Sequence, residues 1–60
     1  MKKMDHAAYI AKTKKMSSQQ LLYVINDCKE AIEAMPDNPN CGYYMDEVHY
    51  CAMELQRRKS

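Results

Sequence analysis

"LLYVINDCKEAIEAMPDNPNCGYYMDEVHYCAMEL", residues 21–55, decides the fold. Leu21, Ile25, Cys28, Ile32 and Met35 recur at spacings of 4, 3, 4 and 3, and Cys41, Met45, Val48, Ala52 and Leu55 repeat the series. That alternation is the period of one helix face. Between the two runs stands "PDNP", residues 36–39. Pro36 lacks a backbone donor and pushes Met35 away from helical angles, so the first run must stop there. Folding the second run back on the first pairs Met35 with Cys41, Ile32 with Met45, Cys28 with Val48, Ile25 with Ala52 and Leu21 with Leu55. An antiparallel helical hairpin follows.

Local signals set the ends. Ser17 and Gln20 have the spacing of a capping box just before an apolar run, which predicts a helix from Ser17 to about Met35. Asn38 as N-cap with Pro39 at the first helical position starts the next helix at about residue 39 and carries it to roughly Arg58. Upstream, Asp5 as N-cap opens a short helix to about Met16, with Met4, Ala7, Ala8, Ile10 and Ala11 as a thin apolar stripe. Its lysine-rich end suits the negative pole of the helix dipole. The predicted organisation is all-α: a basic N-terminal arm or short helix over 1–16, then the hairpin over 17–60.

Each hairpin helix carries a further apolar column, Val24 and Ala31 on one and Tyr44 and Cys51 on the other, and Leu22 and Tyr50 widen it. A two-column seam serves one neighbour, whereas three columns leave apolar surface for something more. The first helix is short and rich in alanine, so a second copy of the chain is expected, giving a dimeric four-helix bundle of two hairpins. A monomeric three-helix bundle satisfies the same periodicity. Aromatic side chains are favoured anchors at interfaces. Leu22, Val24, Ala31, Tyr43, Tyr44, Tyr50 and Cys51 are therefore the candidate protein-interface residues.

Sixty residues bury a small core, and such chains lean on a disulfide, a metal or a partner. Cys28, Cys41 and Cys51 make an odd count behind a start that lacks a signal-like apolar run, which points to reduced thiols in a cytoplasmic compartment. No stretch approaches the ~20 apolar residues of a membrane span. The net charge of +1 hides a pattern: residues 1–16 carry +4, residues 17–56 carry −6, and Arg57, Arg58 and Lys59 add +3. In the hairpin both basic segments emerge at one end. Lys12, Lys14, Lys15, Arg57, Arg58 and Lys59 are thus candidates for binding nucleic-acid phosphates, the alternative to protein binding.

The chemistry-bearing stretch "GYYMDEVHYC", residues 42–51, divides between helix faces. His49 and Cys51 lie about 160° apart around a helix and cannot hold one ion from it. Asp46, His49 and Met53 share a face, and an acid three residues before a histidine is the spacing of carboxylate-bridged iron pairs in four-helix proteins. Such sites also need inward glutamates on the facing helix, where Glu30 and Glu33 instead project away from the seam. Glu47, Glu54 and Tyr43 fall on a face assigned to solvent. With one glycine and no Gly-flanked serine, neither a phosphate-cradling loop nor a nucleophile elbow is present. No catalytic residue, metal or cofactor is expected, and the reading is a non-enzymatic interaction protein.

Over "AMPDNPNCGYYMDEVHYCAMELQRR", residues 34–58, the sequence resembles small uncharacterised helical proteins of tailed phages, particularly marine ones that infect cyanobacteria. The resemblance extends over about residues 17–58. It implies an accessory protein made in the cytoplasm of an infected bacterium that binds a host or phage protein, and it assigns no site residue.

Overall fold

The computed structural model describes residues 3–59 and places three helices in them: α1 His6–Lys15, α2 Ser18–Ala34 and α3 Cys41–Lys59. The fold is all-helical, with no strand among the described residues. Met1, Lys2 and Ser60 lie outside them, so the predicted contribution of Lys2 to the basic arm does too.

Locally encoded ends fall where the sequence puts them. Asp5 caps α1, its carboxylate accepting the amide of Ala8 at 3.1 Å. Ser17 and Gln20 form a complete capping box: the Ser17 hydroxyl accepts the Gln20 amide at 3.1 Å, and the Gln20 side chain accepts the Ser17 amide at 3.0 Å. α2 ends at Ala34, with Met35 as its C-cap.

The start of α3 is a correction. Asn38 does not cap the helix at Pro39. Its side-chain oxygen accepts the Asn40 amide at 2.8 Å and its carbonyl accepts the Cys41 amide at 3.0 Å, so residues 38–41 make a tight turn. The first helical bond runs from the Tyr44 amide to the Asn40 carbonyl, and α3 begins at Cys41.

α2 and α3 pack antiparallel as the dominant pair, and α1 lies along α3, parallel to it. α1 does not dock through its alanine stripe. Ala7, Ala8 and Ala11 are exposed and Ile10 is 39% exposed, while Tyr9 and Thr13, four residues apart on one face, are buried. A tyrosine covers more apolar area than several alanines, provided its hydroxyl finds a partner. The Tyr9 hydroxyl donates to Glu47 at 2.9 Å, and the Thr13 hydroxyl donates to its own helix at the Ile10 carbonyl, 2.7 Å. Tyr9, Leu21 and Cys51 form the core, flanked by Met4, Met16, Val24, Ile25, Tyr50 and Leu55.

That core corrects the predicted register of α3. Cys51 is fully buried and Glu54 nearly so, whereas Met45 is 62% exposed, Ala52 is exposed, and Val48 and Leu55 are half-buried. The inward line of α3 is turned by about one residue step, roughly 100°, toward α1. On α2 the buried residues Leu21 and Cys28 belong to the predicted seam, but Ile25 and Ile32 are half-buried and Met35 is 61% exposed. Glu54, assigned to solvent from the sequence, sits inside because Arg57 and Arg58, three and four residues on, neutralise it.

Candidate functional site: an open hairpin face and a basic pole

With α3 turned toward α1, the opposite face of the hairpin is left without cover. Two grooves run end to end along it between α2 and α3. One is lined by Ile25, Ala52, Leu55, Gln56 and Lys59, the other by Lys29, Ile32, Met45, Val48, His49 and Ala52, and they join at Ala52. Leu22 on α2 is a further exposed apolar side chain, at 52%. The groove residues are largely those whose 4-3-4-3 spacing announced the hairpin. They line its open face instead of filling its centre.

The molecule's dimensions agree. Its radius of gyration is 11.5 Å, against about 10 Å for a compact chain of this length. Its accessible surface is 4628 Å², against about 4,000 Å² for a folded monomer of this mass.

The covered face is the more polar one. Beneath α1, Cys51 Sγ lies 3.7 Å from the Tyr9 hydroxyl oxygen; with the Tyr9 proton committed to Glu47, the thiol is the donor. Burial pushes the Tyr9 phenol and the Cys51 thiol above their ordinary values, and pushes Cys28 up to about 11, with the Glu47 charge adding to all three. Buried neutral thiols are poor nucleophiles, and here they serve as packing. The third thiol, Cys41, donates to the carbonyls of Met35 at 3.3 Å and Pro36 at 3.5 Å, bracing the interhelix turn. At the open end of α1, His6 Nδ1 lies 2.7 Å from the Tyr50 hydroxyl with the rings edge to face.

Arg58 fastens the other end of α1. Its guanidinium donates to the carbonyls of Met16 at 2.6 Å and Thr13 at 3.2 Å, to the Ser18 hydroxyl at 3.2 Å and to Glu54 at 2.9 Å. Two of those carbonyls sit at the C-terminal end of α1 or just beyond it, where helical partners run out, and the positive charge meets the negative end of the dipole. Glu54 in turn takes Arg57 and Arg58. Their hydrogen bonds hold its carboxyl down to about 2, although burial works against ionisation.

These contacts settle the placement of each candidate. Arg58 lies against the backbone of Thr13, Lys14 and Met16, so Lys14, Lys15, Arg57, Arg58 and Lys59 gather at one end, with Lys12 a turn away, its ammonium 5.6 Å from the Tyr9 ring centre. Within this basic pole Arg58 is engaged by the fold and Arg57 is paired with Glu54. None of the interface candidates lines either groove between α2 and α3, and Leu22 is simply exposed on α2. Val24 faces a groove with Lys12, Met16, Gln20 and Tyr23, and Ala31 is half-buried. Tyr43 and Tyr44 are half-buried with their rings edge to face at 6.4 Å, and Tyr50 packs between His6 and His49. Cys51 is wholly buried in the core of the single chain.

Among the described residues, no cluster of three or more His, Cys, Asp or Glu is arranged to hold a metal, and no helix is long and apolar enough to cross a membrane. Sequence reasoning missed Thr13, placed Glu54 in solvent, and offered Arg58 as a phosphate ligand without seeing its hold on α1. Only the spacing of Glu54 with Arg57 and Arg58 carried a readable signal, as the i,i+3 and i,i+4 arrangement of a helix ion pair. The chain matches no family model, no curated protein and no solved structure.

Proposed function

We propose that this protein is a small, non-enzymatic helical interaction protein that pairs through the open α2/α3 face as a dimeric four-helix bundle. It then presents its remaining surface to a second protein, as an accessory protein in the cytoplasm of a phage-infected bacterium would. The observation that carries this reading is the joined pair of apolar grooves through Ile25, Ala52 and Leu55 and through Ile32, Met45 and Val48. An exposed apolar strip of this kind on so small a chain marks a binding surface. The half-buried tyrosines Tyr43 and Tyr50 lie on the other side of α3, away from the two grooves.

Sedimentation across a concentration series, in reducing buffer, tests it. Met45→Glu places a charge on a side chain already 62% exposed in the single chain, so folding is undisturbed and only pairing responds. The expected result is a dimer for the native chain and a monomer of unchanged helicity for the variant. A native chain that stays monomeric at all concentrations overturns the pairing.

A second reading, nucleic-acid binding, is favoured by the gathering of Lys12, Lys14, Lys15, Arg57, Arg58 and Lys59 at one pole. It requires affinity that falls with salt and with Lys12, Lys14 and Lys15 replaced by alanine. Affinity indifferent to both would remove it.

A further inference from the structure

Charge in this molecule is segregated along its length. The end where α1 finishes holds Lys12, Lys14, Lys15, Arg57, Arg58 and Lys59 against Glu54, a net of +5. Among the described residues, the half toward the α2/α3 turn holds Asp5, Asp27, Glu30, Glu33, Asp37, Asp46 and Glu47 against Lys3 and Lys29, a net of −5. The long axis is 35 Å, several Debye lengths at ordinary salt, so each end acts on a neighbour as a separate pole.

We infer that the occupant of the open face is a second copy lying antiparallel, with its acidic turn beside the basic pole of the first. The inference rests on the pairing proposed above and adds its geometry.

A face-to-face dimer has two ways to place its two-fold axis. An axis along the helices sets like poles side by side, +5 on +5 and −5 on −5. An axis across the helices sets unlike poles together, and electrostatic complementarity selects it.

The apolar pattern agrees. Rotation about an axis across the middle of the face carries Met45 onto Leu55 of the partner subunit, Val48 onto Ala52 of the partner subunit and Lys29 onto Ile25 of the partner subunit. The same midpoint thus serves α2 and α3. The aliphatic stem of Lys29 covers that isoleucine and its ammonium reaches the rim. In extent, the whole molecule measures 35 × 21 × 15 Å, so a face along its length is bounded above by roughly 700 Å², a little under the ~800 Å² per partner of a standard stable interface.

Two measurements on the native chain decide it. The dissociation constant is followed by sedimentation from about 0.05 to about 0.5 M salt, and it should rise on the order of tenfold as screening shortens. Carbodiimide cross-linking, read by mass spectrometry, should join Lys59 to Glu33 or Asp37. Within one chain these groups lie at opposite ends of the rod, so the link reports a second copy. A dimer that tightens in salt and lacks these links overturns the antiparallel arrangement while leaving pairing intact. A monomer overturns both.

Discussion

Tyr9 holds α1 to the hairpin, and Tyr9→Ala is the sharpest perturbation of that contact. The side chain is 7% exposed and packs on Leu21 and Cys51. A buried tyrosine removes about 200 Å² from water, worth about 5 kcal/mol by area and about 4 once residual compactness of the unfolded chain is allowed for. Truncation of a buried aromatic to alanine costs about 3–5 kcal/mol, in agreement. A chain of this length has only about 3–9 kcal/mol in total. The variant therefore stands at the edge of unfolding, or survives as a hairpin from which α1 has frayed; in the latter case helicity falls by about a fifth, the share of α1 among the helical residues. Tyr9→Phe separates packing from polarity. It keeps the ring, leaves Glu47 and Cys51 without the hydroxyl, and should cost about 1 kcal/mol. Urea unfolding followed by circular dichroism, at one fixed protomer concentration, measures all three proteins. Full helicity in Tyr9→Ala with less than about 1 kcal/mol lost would refute the assignment of α1's anchor to Tyr9.

Arg58→Ala should lower stability by about 2 kcal/mol and the melting temperature by about 10 °C, because the Met16 and Thr13 carbonyls lose a charged donor; a melt unchanged within error would count against the clamp. Acid titration reads Glu54: its carboxyl is held down to about 2 by Arg57 and Arg58, so its contribution is complete above the ordinary carboxylate value near 4.5 and lost as pH falls toward 2. Glu54→Gln should flatten that limb of a melting-temperature profile. At the alkaline end the sign reverses, since Cys28, Cys51 and Tyr9 ionise more readily unfolded than folded. Stability should hold to about pH 9 and fall as pH rises toward 11, and a flat profile across that range would contradict the burial of the two thiols. In native buffer a thiol reagent should titrate Cys41 first and reach Cys28 and Cys51 only on unfolding; three equal rates would contradict the same burial.

The ends of α1 and α2 were legible from the sequence because they are local, whereas the start of α3 was placed two residues too early. Asp5 with Ala8, Ser17 with Gln20, and the Pro36 stop each involve residues within a turn of one another. The facing of α3 was not legible. Its apolar residues satisfy 4-3 spacing along two adjacent columns, Met45–Val48–Ala52–Leu55 and Tyr44–Val48–Cys51–Leu55, and periodicity alone does not choose between them. Long-range polar contacts choose: Tyr9 with Glu47 and Arg58 with Thr13 and Met16 turn the side of α3 that carries Cys51 and Glu54 inward. A count of apolar residues on α1 missed its docking for a related reason. It weighted Ala7, Ala8 and Ala11 and overlooked Tyr9 and Thr13, polar-tipped residues that become core once their hydroxyls are paired. The extra apolar surface was assigned to Val24, Ala31, Tyr44 and Cys51, widened by Leu22 and Tyr50, whereas the grooves are lined mainly by the seam residues themselves. Gathering of the basic segments at one end was foreseen, while the use of Arg58 as a clamp on α1 depends on carbonyls more than 40 residues away.

The most direct measurement is an isotope-filtered NOE experiment on a mixture of labelled and unlabelled chains, which registers only contacts between copies. Intermolecular signals from the Met45 methyl to Leu55 of the partner subunit, and from Val48 to Ala52 of the partner subunit, are the expected result. Intermolecular signals confined to Ile10, Tyr50 and Met53 on the α1 side, with the hairpin face silent, would contradict the claim that the open face is where this protein binds.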